Sequence, residues 1–350
     1  MSNQVMELLE SNNLVKVCAP MVRYSKLPFR TLVRKYNCDI CFTPMIIADS
    51  FVMSQSARNN EFCTNAGDRP LIVQFAANNP EDFSCAAEMV APYSNGVDLN
   101  CGCPQRWAMK EGYGAHLLKK PELIRDLVLQ VRNKIPHPFT VSVKIRILED
   151  IRQSVELCQQ LESAGVSFIT IHGRTPAQRH QPINIVALQT IRASVQLPLI
   201  ANGDVKTLQD AEELQKKTKC EGVMAARGIL TNPALFAGFC VTPLDCVAQW
   251  VVMGQKLETN FQIFHHHLSF MLEKIMRKRE RVLFNSLKNI TDTKNFLEEY
   301  FNLDFSQTVC SLTAVEECNY ENVTNDFRRK NVEIMDSFED FLENSCLYVD

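Results

Sequence analysis

The chain has 350 residues, 46% of them hydrophobic, and a net charge of −3. That is room for one large domain plus a smaller one, with ample apolar material for a core. The N-terminus is polar and acidic where a signal peptide would be basic then apolar, and no run approaches a membrane span, so a cytoplasmic or nuclear protein is expected.

The charge is unevenly spread. Residues 304–350 hold 11 acidic and 3 basic side chains, a net of −8, which leaves +5 on residues 1–303. A mildly basic body permits a polyanionic partner without demanding one. The 14 cysteines follow no framework and several sit in apolar strand-like runs, which suits a reducing compartment. Cys38 and Cys41 form a Cys-x-x-Cys without a second pair at zinc spacing. Core packing explains them best, and no metal site is expected.

In chain order, a short N-terminal helix precedes a buried strand over Leu14 to Ala19, which runs into Pro20-Met21-Val22, and a helix over Pro28 to Tyr36. Strands follow at Asp39 to Thr43 and Leu71 to Phe75, then a helix at Pro80 to Val90, a strand at Val97 to Asn100 and a helix at Pro121 to Asn133. The alternation continues with strand Phe139 to Arg146, helix Ile151 to Ala164, strand Ser167 to His172, helix Ile185 to Ala193, strand Pro198 to Asn202, helix Leu208 to Lys217 and strand Gly222 to Ala226. Near-continuous apolar strands alternating with amphipathic helices predict a parallel sheet covered by helices. Eight such strands in about 240 residues predict an α/β fold, a closed (β/α)8 TIM barrel. No strand runs into Gly-x-Gly-x-x-Gly, which disfavours a classical dinucleotide domain.

Gln74, Asn100, Lys144, Arg146, His172, Asn202 and Arg227 all fall at or just beyond the C-terminal ends of strands, the barrel face that carries active sites. Any one could be a satisfied core polar group; seven on one rim are hard to explain as packing. Asn202-Gly203-Asp204 and Ala226-Arg227-Gly228 occupy the loops after the seventh and eighth strands, the usual phosphate position of such barrels. Gly203 and Gly228 could serve only as turns, but as a pair beside Arg227 they favour a phosphate. With Lys144 and His172 near the polar edge of a planar ring and Pro20-Met21 beneath it, flavin mononucleotide is the economical ligand.

The stretch Asp98-Leu99-Asn100-Cys101-Gly102-Cys103-Pro104-Gln105 ends one strand and breaks into a loop. Proline keeps Cys103 out of helix, so its thiol is held extended at the strand exit. An isolated cysteine is usually core filler, and Cys101, nearer the strand, is expected to be buried.

These segments, together with Cys18-Ala19-Pro20-Met21, Gln74-Phe75-Ala76, Gly112-Tyr113-Gly114-Ala115, Lys144-Ile145-Arg146, Ile171-His172-Gly173-Arg174-Thr175 and Gly222-Val223-Met224-Ala225-Ala226-Arg227-Gly228, resemble the tRNA-dihydrouridine synthases over residues 15 to 240. The wording around Val17 to Lys26 and Asn100 to Met109 is most similar to the eukaryotic 4-like type. The resemblance implies an FMN enzyme that uses NADPH to reduce the C5–C6 bond of uridine in the tRNA D-loop, with positions 20a and 20b as expected targets. It makes Cys103 the catalytic cysteine, lines the flavin with Pro20, Met21 and Val22, and binds its ring through Gln74, Lys144 and His172. Asn202, Gly203, Asp204, Ala226 and Arg227 would hold the phosphate region, while Asn100, Arg146 and His180 would meet the uracil. Ala226 departs from the glycine of many relatives, and His180 stands where some have tyrosine.

Uracil reduction needs a hydride at C6 and a proton at C5 on the opposite face. A thiol with an ordinary pKa of about 8.5 is protonated at neutral pH, so Cys103 is expected to act as the general acid. Gly112 and Gly114 would let the loop carrying Trp107 and Tyr113 close over the base, although both aromatics could equally be packing.

Residues 1–13 read as an extension, 14–242 as the FMN barrel and 243–303 as a helical domain, whose run Lys274, Arg277, Lys278, Arg279 and Arg281 could be a solvated helix face and which the resemblance makes a tRNA-binding domain. His265-His266-His267 is a poor metal site, because successive helical residues point about 100° apart. The acidic tail from Asp304 is expected to be partly disordered, with an apolar helical spacing at Val332, Ile334, Met335, Phe338, Phe341 and Leu342. A monomer is expected. A small-molecule flavin oxidoreductase of the dihydroorotate dehydrogenase type, or a tRNA-binding scaffold without catalysis, are the competing readings.

Overall fold

The computed structural model describes residues 3–306, 308, 312–321 and 323. Nine parallel strands form: β1 (Val15–Cys18), β2 (Ile40–Phe42), β3 (Ile46–Ile47), β4 (Leu71–Ala76), β5 (Gly96–Cys101), β6 (Thr140–Arg146), β7 (Phe168–His172), β8 (Leu199–Asn202) and β9 (Gly222–Ala225). β1 pairs with β9 and with β2, β2 pairs with β4, and β4 through β9 follow in order, so eight strands close into a ring. The predicted (β/α)8 barrel is therefore the observed one. β3 lies outside that ring, paired only to β4 through Ile46↔Phe75 and Ile47↔Ala76.

The strands are buried nearly end to end because helices cover their outer faces and side chains fill the interior. Val17, Ile40, Phe42, Ile72, Phe168, Ile200 and Met224 form one apolar cluster in the barrel. Burying a side chain such as Phe168 contributes about 1.5–3 kcal/mol. The N-terminal helix Gln4–Leu9 adds Val5 and Leu9 to this cluster. Asn3 fastens it to the start of β6, its Nδ2 donating to Pro138 O at 2.7 Å and its Oδ1 accepting from Thr140 Oγ1 at 3.1 Å. The extension thus plugs the N-terminal end of the barrel. Met21 and Ala226 pack on the cluster as well.

Helix boundaries follow the capping signals. Asn79 caps helix Pro80–Val90 through the N–H groups of Glu81 and Asp82, and Thr207 and Asp210 form a reciprocal box at the start of helix Leu208–Thr218. Two short helices, Ala48–Met53 and Gln55–Glu61, follow β3 and were not expected. At six and seven residues they are too short to show a helical period.

Beyond the barrel, helices Leu244–Lys256, Phe261–Met271, Lys278–Asn285 and Ile290–Phe301 pack together. His267 anchors them to the chain after β1. Its ring stacks on Phe29 at 4.6 Å and meets Tyr24 edge-on at 5.4 Å, and its Nε2 donates to Tyr24 O at 3.2 Å. A carbonyl can only accept, so a proton sits on Nε2, and burial keeps the ring neutral. His265 likewise bonds Phe284 O through Nε2 at 2.9 Å. These histidines join one element to another.

Past the last helix, Val315 makes an antiparallel bridge with Asn65, and Glu316 N donates to Thr64 O at 2.9 Å. The sequence reading did not anticipate this pairing, since a single bridge carries no periodic signal. The apolar spacing from Val332 to Leu342 lies outside the described residues.

Candidate active site

Parallel register brings the rim residues together. Asn100 pairs with Lys144 across β5 and β6, Arg146 with His172 across β6 and β7, and His172 with Asn202 across β7 and β8. The site is assembled from neighbouring strand ends before any side-chain contact is considered.

One hydrogen-bond relay runs through β4 and β5 to the cysteine loop. Asn100 Oδ1 accepts the backbone N–H of Gly102 at 3.0 Å and of Cys103 at 2.9 Å. Those N–H groups can only donate, which turns Asn100 Nδ2 toward Gln74 Oε1 at 2.9 Å. Gln74 Nε2 then donates to Asp98 Oδ2 at 2.8 Å, and Asp98 Oδ1 accepts from Ser142 Oγ at 2.7 Å. Gln74 N is held by Thr43 Oγ1 at 3.1 Å. Burial pushes the Asp98 carboxyl up to about 6, against the pull of Gln74, Ser142 and Lys144. Gln74 and Asn100 each retain one amide hydrogen for a ligand.

Cys103 is partly exposed, whereas Cys101 is fully buried. The Cys103 side chain rests on Met45, Ala76, Ala108 and Tyr113. Gly114 closes the loop at φ +61°, where a Cβ would stand 2.6 Å from Cys103 O, so only glycine fits. Ala115 N donates to Cys103 O at 2.9 Å. Tyr113 is buried, with its hydroxyl on Asp49 Oδ2 at 3.3 Å; it packs the loop in place, while Trp107 is exposed. Burial raises the Cys103 thiol pKa and outweighs the lowering by a Gln105 backbone hydrogen bond, Arg146 and Lys144. The thiol is therefore held protonated at neutral pH.

Four cations gather opposite. Lys144 Nζ donates to Asn202 Oδ1 at 2.9 Å, and Asn202 Nδ2 to Met224 O at 2.9 Å. Burial, then Arg146, lowers the lysine to about 8. Arg146 braces two loops, its Nε on Gly102 O at 2.9 Å and its NH1 on Thr175 O at 3.2 Å and Gln178 O at 3.3 Å. Burial, followed by Lys144, Arg146, Arg174 and Arg227, drives His172 down to about 2. Arg174 NH1 faces His172 Nε2 at 3.3 Å. A guanidinium only donates, so Nε2 is the acceptor and Nδ1 carries the proton, available to a ligand. Arg174 also pairs with the Asp204 carboxylate and with Gln181 O.

Both glycines of the proposed phosphate loops are needed for packing. A Cβ on Gly203 would stand 2.4 Å from Ile183 Cγ2, and one on Gly228 would stand 2.1 Å from Val205 O. The second contact sets the two loops directly against each other. Arg227 is exposed on this surface and Ala226 partly so. Pro20 and Met21 are half-buried and Val22 is exposed. In a chain of net negative charge, Lys144, Arg146 and Arg227 make this mouth locally positive, which fits an anionic ligand. Asp204 is taken up by Arg174, so its charge does not oppose that ligand.

His180 is exposed on the loop that Arg146 braces and makes no side-chain contact with this cluster among the described residues. Sequence reasoning missed Arg174, Asp98, Ser142 and Thr43. Asp98 had a signal, a carboxylate inside an apolar strand, and Arg174 stands in a motif just beyond a strand end, but Ser142 and Thr43 had none.

The family model described as "Dihydrouridine synthase (Dus)" matches residues 17–324. A Homo sapiens protein named tRNA-dihydrouridine(20a/20b) synthase (NAD(P)+)-like is 53% identical over 298 residues, covering 85% of this chain and 94% of that one. The tRNA-dihydrouridine(20a/20b) synthase of Schizosaccharomyces pombe is 43% identical over 301 residues, covering 85% and 91%, and that of Saccharomyces cerevisiae is 42% identical over 298 residues, covering 83% and 80%. With its barrel, its rim and this match, the chain belongs to the dihydrouridine synthase family.

Proposed function

We propose that this protein reduces uridine to 5,6-dihydrouridine in the D-loop of tRNA, at positions 20a and 20b, with FMN as the bound cofactor and NADPH as the reductant. The targets follow the names of the relatives above. Such a substrate is met in the cytoplasm or nucleus, and no helix among the described residues is long and apolar enough to cross a membrane.

The donor set suits FMN. Lys144 Nζ, the Nδ1–H of His172 and the spare amide hydrogen of Gln74 would be three donors to the flavin ring, which Pro20, Met21 and Val22 would line. The adjoining loops with Gly203, Ala226 and Arg227, buttressed by Asn202 and Asp204, would take the phosphate. When bound there, FMN would supply the hydride chemistry for C6 of the uracil. The base must be flipped out of the folded tRNA to reach the barrel mouth. Asn100 and Arg146 orient it, and His180, on the exposed loop, meets the nucleotide from outside. Cys103 holds a proton on Sγ for C5, and the helical domain at 243–303 grips the tRNA backbone.

The observation that carries this reading is a partly exposed thiol kept protonated by burial beside a cluster of cations. General-acid catalysis of this kind contributes roughly 10²- to 10⁴-fold. Single-turnover reoxidation of the NADPH-reduced enzyme by unmodified tRNA tests it, with free pyrimidines as the alternative acceptor. Cys103→Ala is expected to slow reoxidation within that range while flavin binding persists. Wild-type speed in the variant, or reoxidation by free pyrimidines instead of tRNA, would overturn the reading.

A further inference from the structure

Trp107 is 45% exposed, and its indole has no hydrogen bond or ring partner among the described residues. It lies on the short helix Arg106–Lys110, four residues beyond Cys103, so at most about 14 Å of chain separates it from the thiol. The helix is firmly mounted. Ala108 is buried against Met45, Ala76 and Tyr113, Tyr113 N donates to Ala108 O at 2.8 Å, and Asn78 Nδ2 holds Glu111 O at 2.7 Å. Arg106 and Lys110, on the same helix, are exposed as well. The result is an exposed indole on a well-anchored short helix that also carries two exposed cations, close in the chain to the thiol.

We infer that Trp107 is a stacking platform for a nucleobase next to the uridine that enters the barrel. The inference rests on the proposed RNA substrate. Flipping one nucleotide unstacks its neighbours, and an exposed aromatic face on an anchored helix recovers the lost stacking. Because every base has a π-face, Trp107 adds affinity and register without reading sequence, while Arg106 and Lys110 meet the adjoining phosphates.

The chain offers a direct readout, since it has only two tryptophans and Trp250 is 1% exposed, stacked on Phe264 with its Nε1 on Phe264 O. Indole emission of the full-length, FMN-loaded protein is followed during titration with unmodified tRNA, and affinity is measured in parallel by gel shift. Wild-type emission is expected to be quenched in step with binding. Trp107→Phe should bind nearly as well yet lose the quench, and Trp107→Ala should bind about 5- to 100-fold more weakly. The inference fails if wild type binds tRNA without quenching, if the quench survives in Trp107→Phe, or if Trp107→Ala binds like wild type. If wild type binds no tRNA in either assay, the proposed substrate fails as well.

Discussion

Asn100 Oδ1 accepts the backbone N–H of Cys103 at 2.9 Å, so the residue expected to meet the uracil also sets the position of the thiol. Asn100→Ala strips the acceptor from both Gly102 N and Cys103 N, at about 1–3 kcal/mol for each buried donor left unpaired. The loop then relaxes, and a displacement near 1 Å costs about 10²-fold in chemistry. Reoxidation of reduced enzyme by tRNA should fall by that factor in Asn100→Ala. Asn100→Asp is no milder control, because it keeps the oxygen for the two N–H groups but sets an acceptor-only oxygen against Gln74 Oε1 and buries a charge. Equal rates in wild type and Asn100→Ala would remove the relay from the account.

That dual role was not legible in the sequence, and the reason is geometric. The barrel strands could be read from their apolar runs, and the rim residues from their place at strand ends. Which polar group faces which depends on register. His172 pairs with Asn202, so residues two further along each strand, Arg174 and Asp204, meet as an ion pair although 30 positions apart. Its loop position and the family resemblance point Asp204 at a phosphate, whereas its carboxylate is taken by Arg174. Tyr113 could have been lid or packing, and only its bond to Asp49 decides for packing.

Lys144 gives the site a pH dependence. Its folded-state value near 8 lies below the ordinary lysine range, so it is charged below pH 8 and neutral above. An anionic ligand favours the charged form, and affinity for FMN should therefore fall as pH rises through about 8. Apoprotein titrated with FMN, followed by flavin fluorescence, should bind several-fold more weakly at pH 9 than at pH 7. Lys144→Met should bind weakly at both. A wild-type affinity that does not change between the two would show that Lys144 does not face the ligand.

His267 ties acid sensitivity to the helical domain. Its folded-state value is lowered to about 3 by burial, against about 6.5 unfolded. Between those values the unfolded chain binds the extra proton, so stability rises with pH across the window and is lost as pH falls below 6.5. From pH 6.5 to 5 this one group should cost roughly 2 kcal/mol. Urea midpoints measured at pH 7 and pH 5 should separate in wild type. In His267→Gln they should lie closer together, with a lower midpoint at pH 7 from the altered packing on Phe29 and Trp250. An undiminished pH shift in the variant would assign acid sensitivity elsewhere.

The helical domain also carries an exposed run of positive charge. Arg277, Lys278 and Arg279 open helix Lys278–Asn285 with their side chains in solvent, and the Arg277–Glu280 pair at 3.9 Å is a surface contact of little strength. If these residues grip the tRNA backbone, each neutralised phosphate releases counterions and adds about 0.7–0.9 to the slope of log affinity against log salt. Replacing all three by alanine should weaken tRNA binding at low salt and reduce that slope by roughly two. The effect should shrink as salt rises and should leave FMN content unaltered, because His267 and Trp250, not these residues, hold the domain to the barrel. Filter binding across a salt series separates the outcomes: parallel lines for variant and wild type would mean the run is a solvated helix face and the phosphates are held elsewhere.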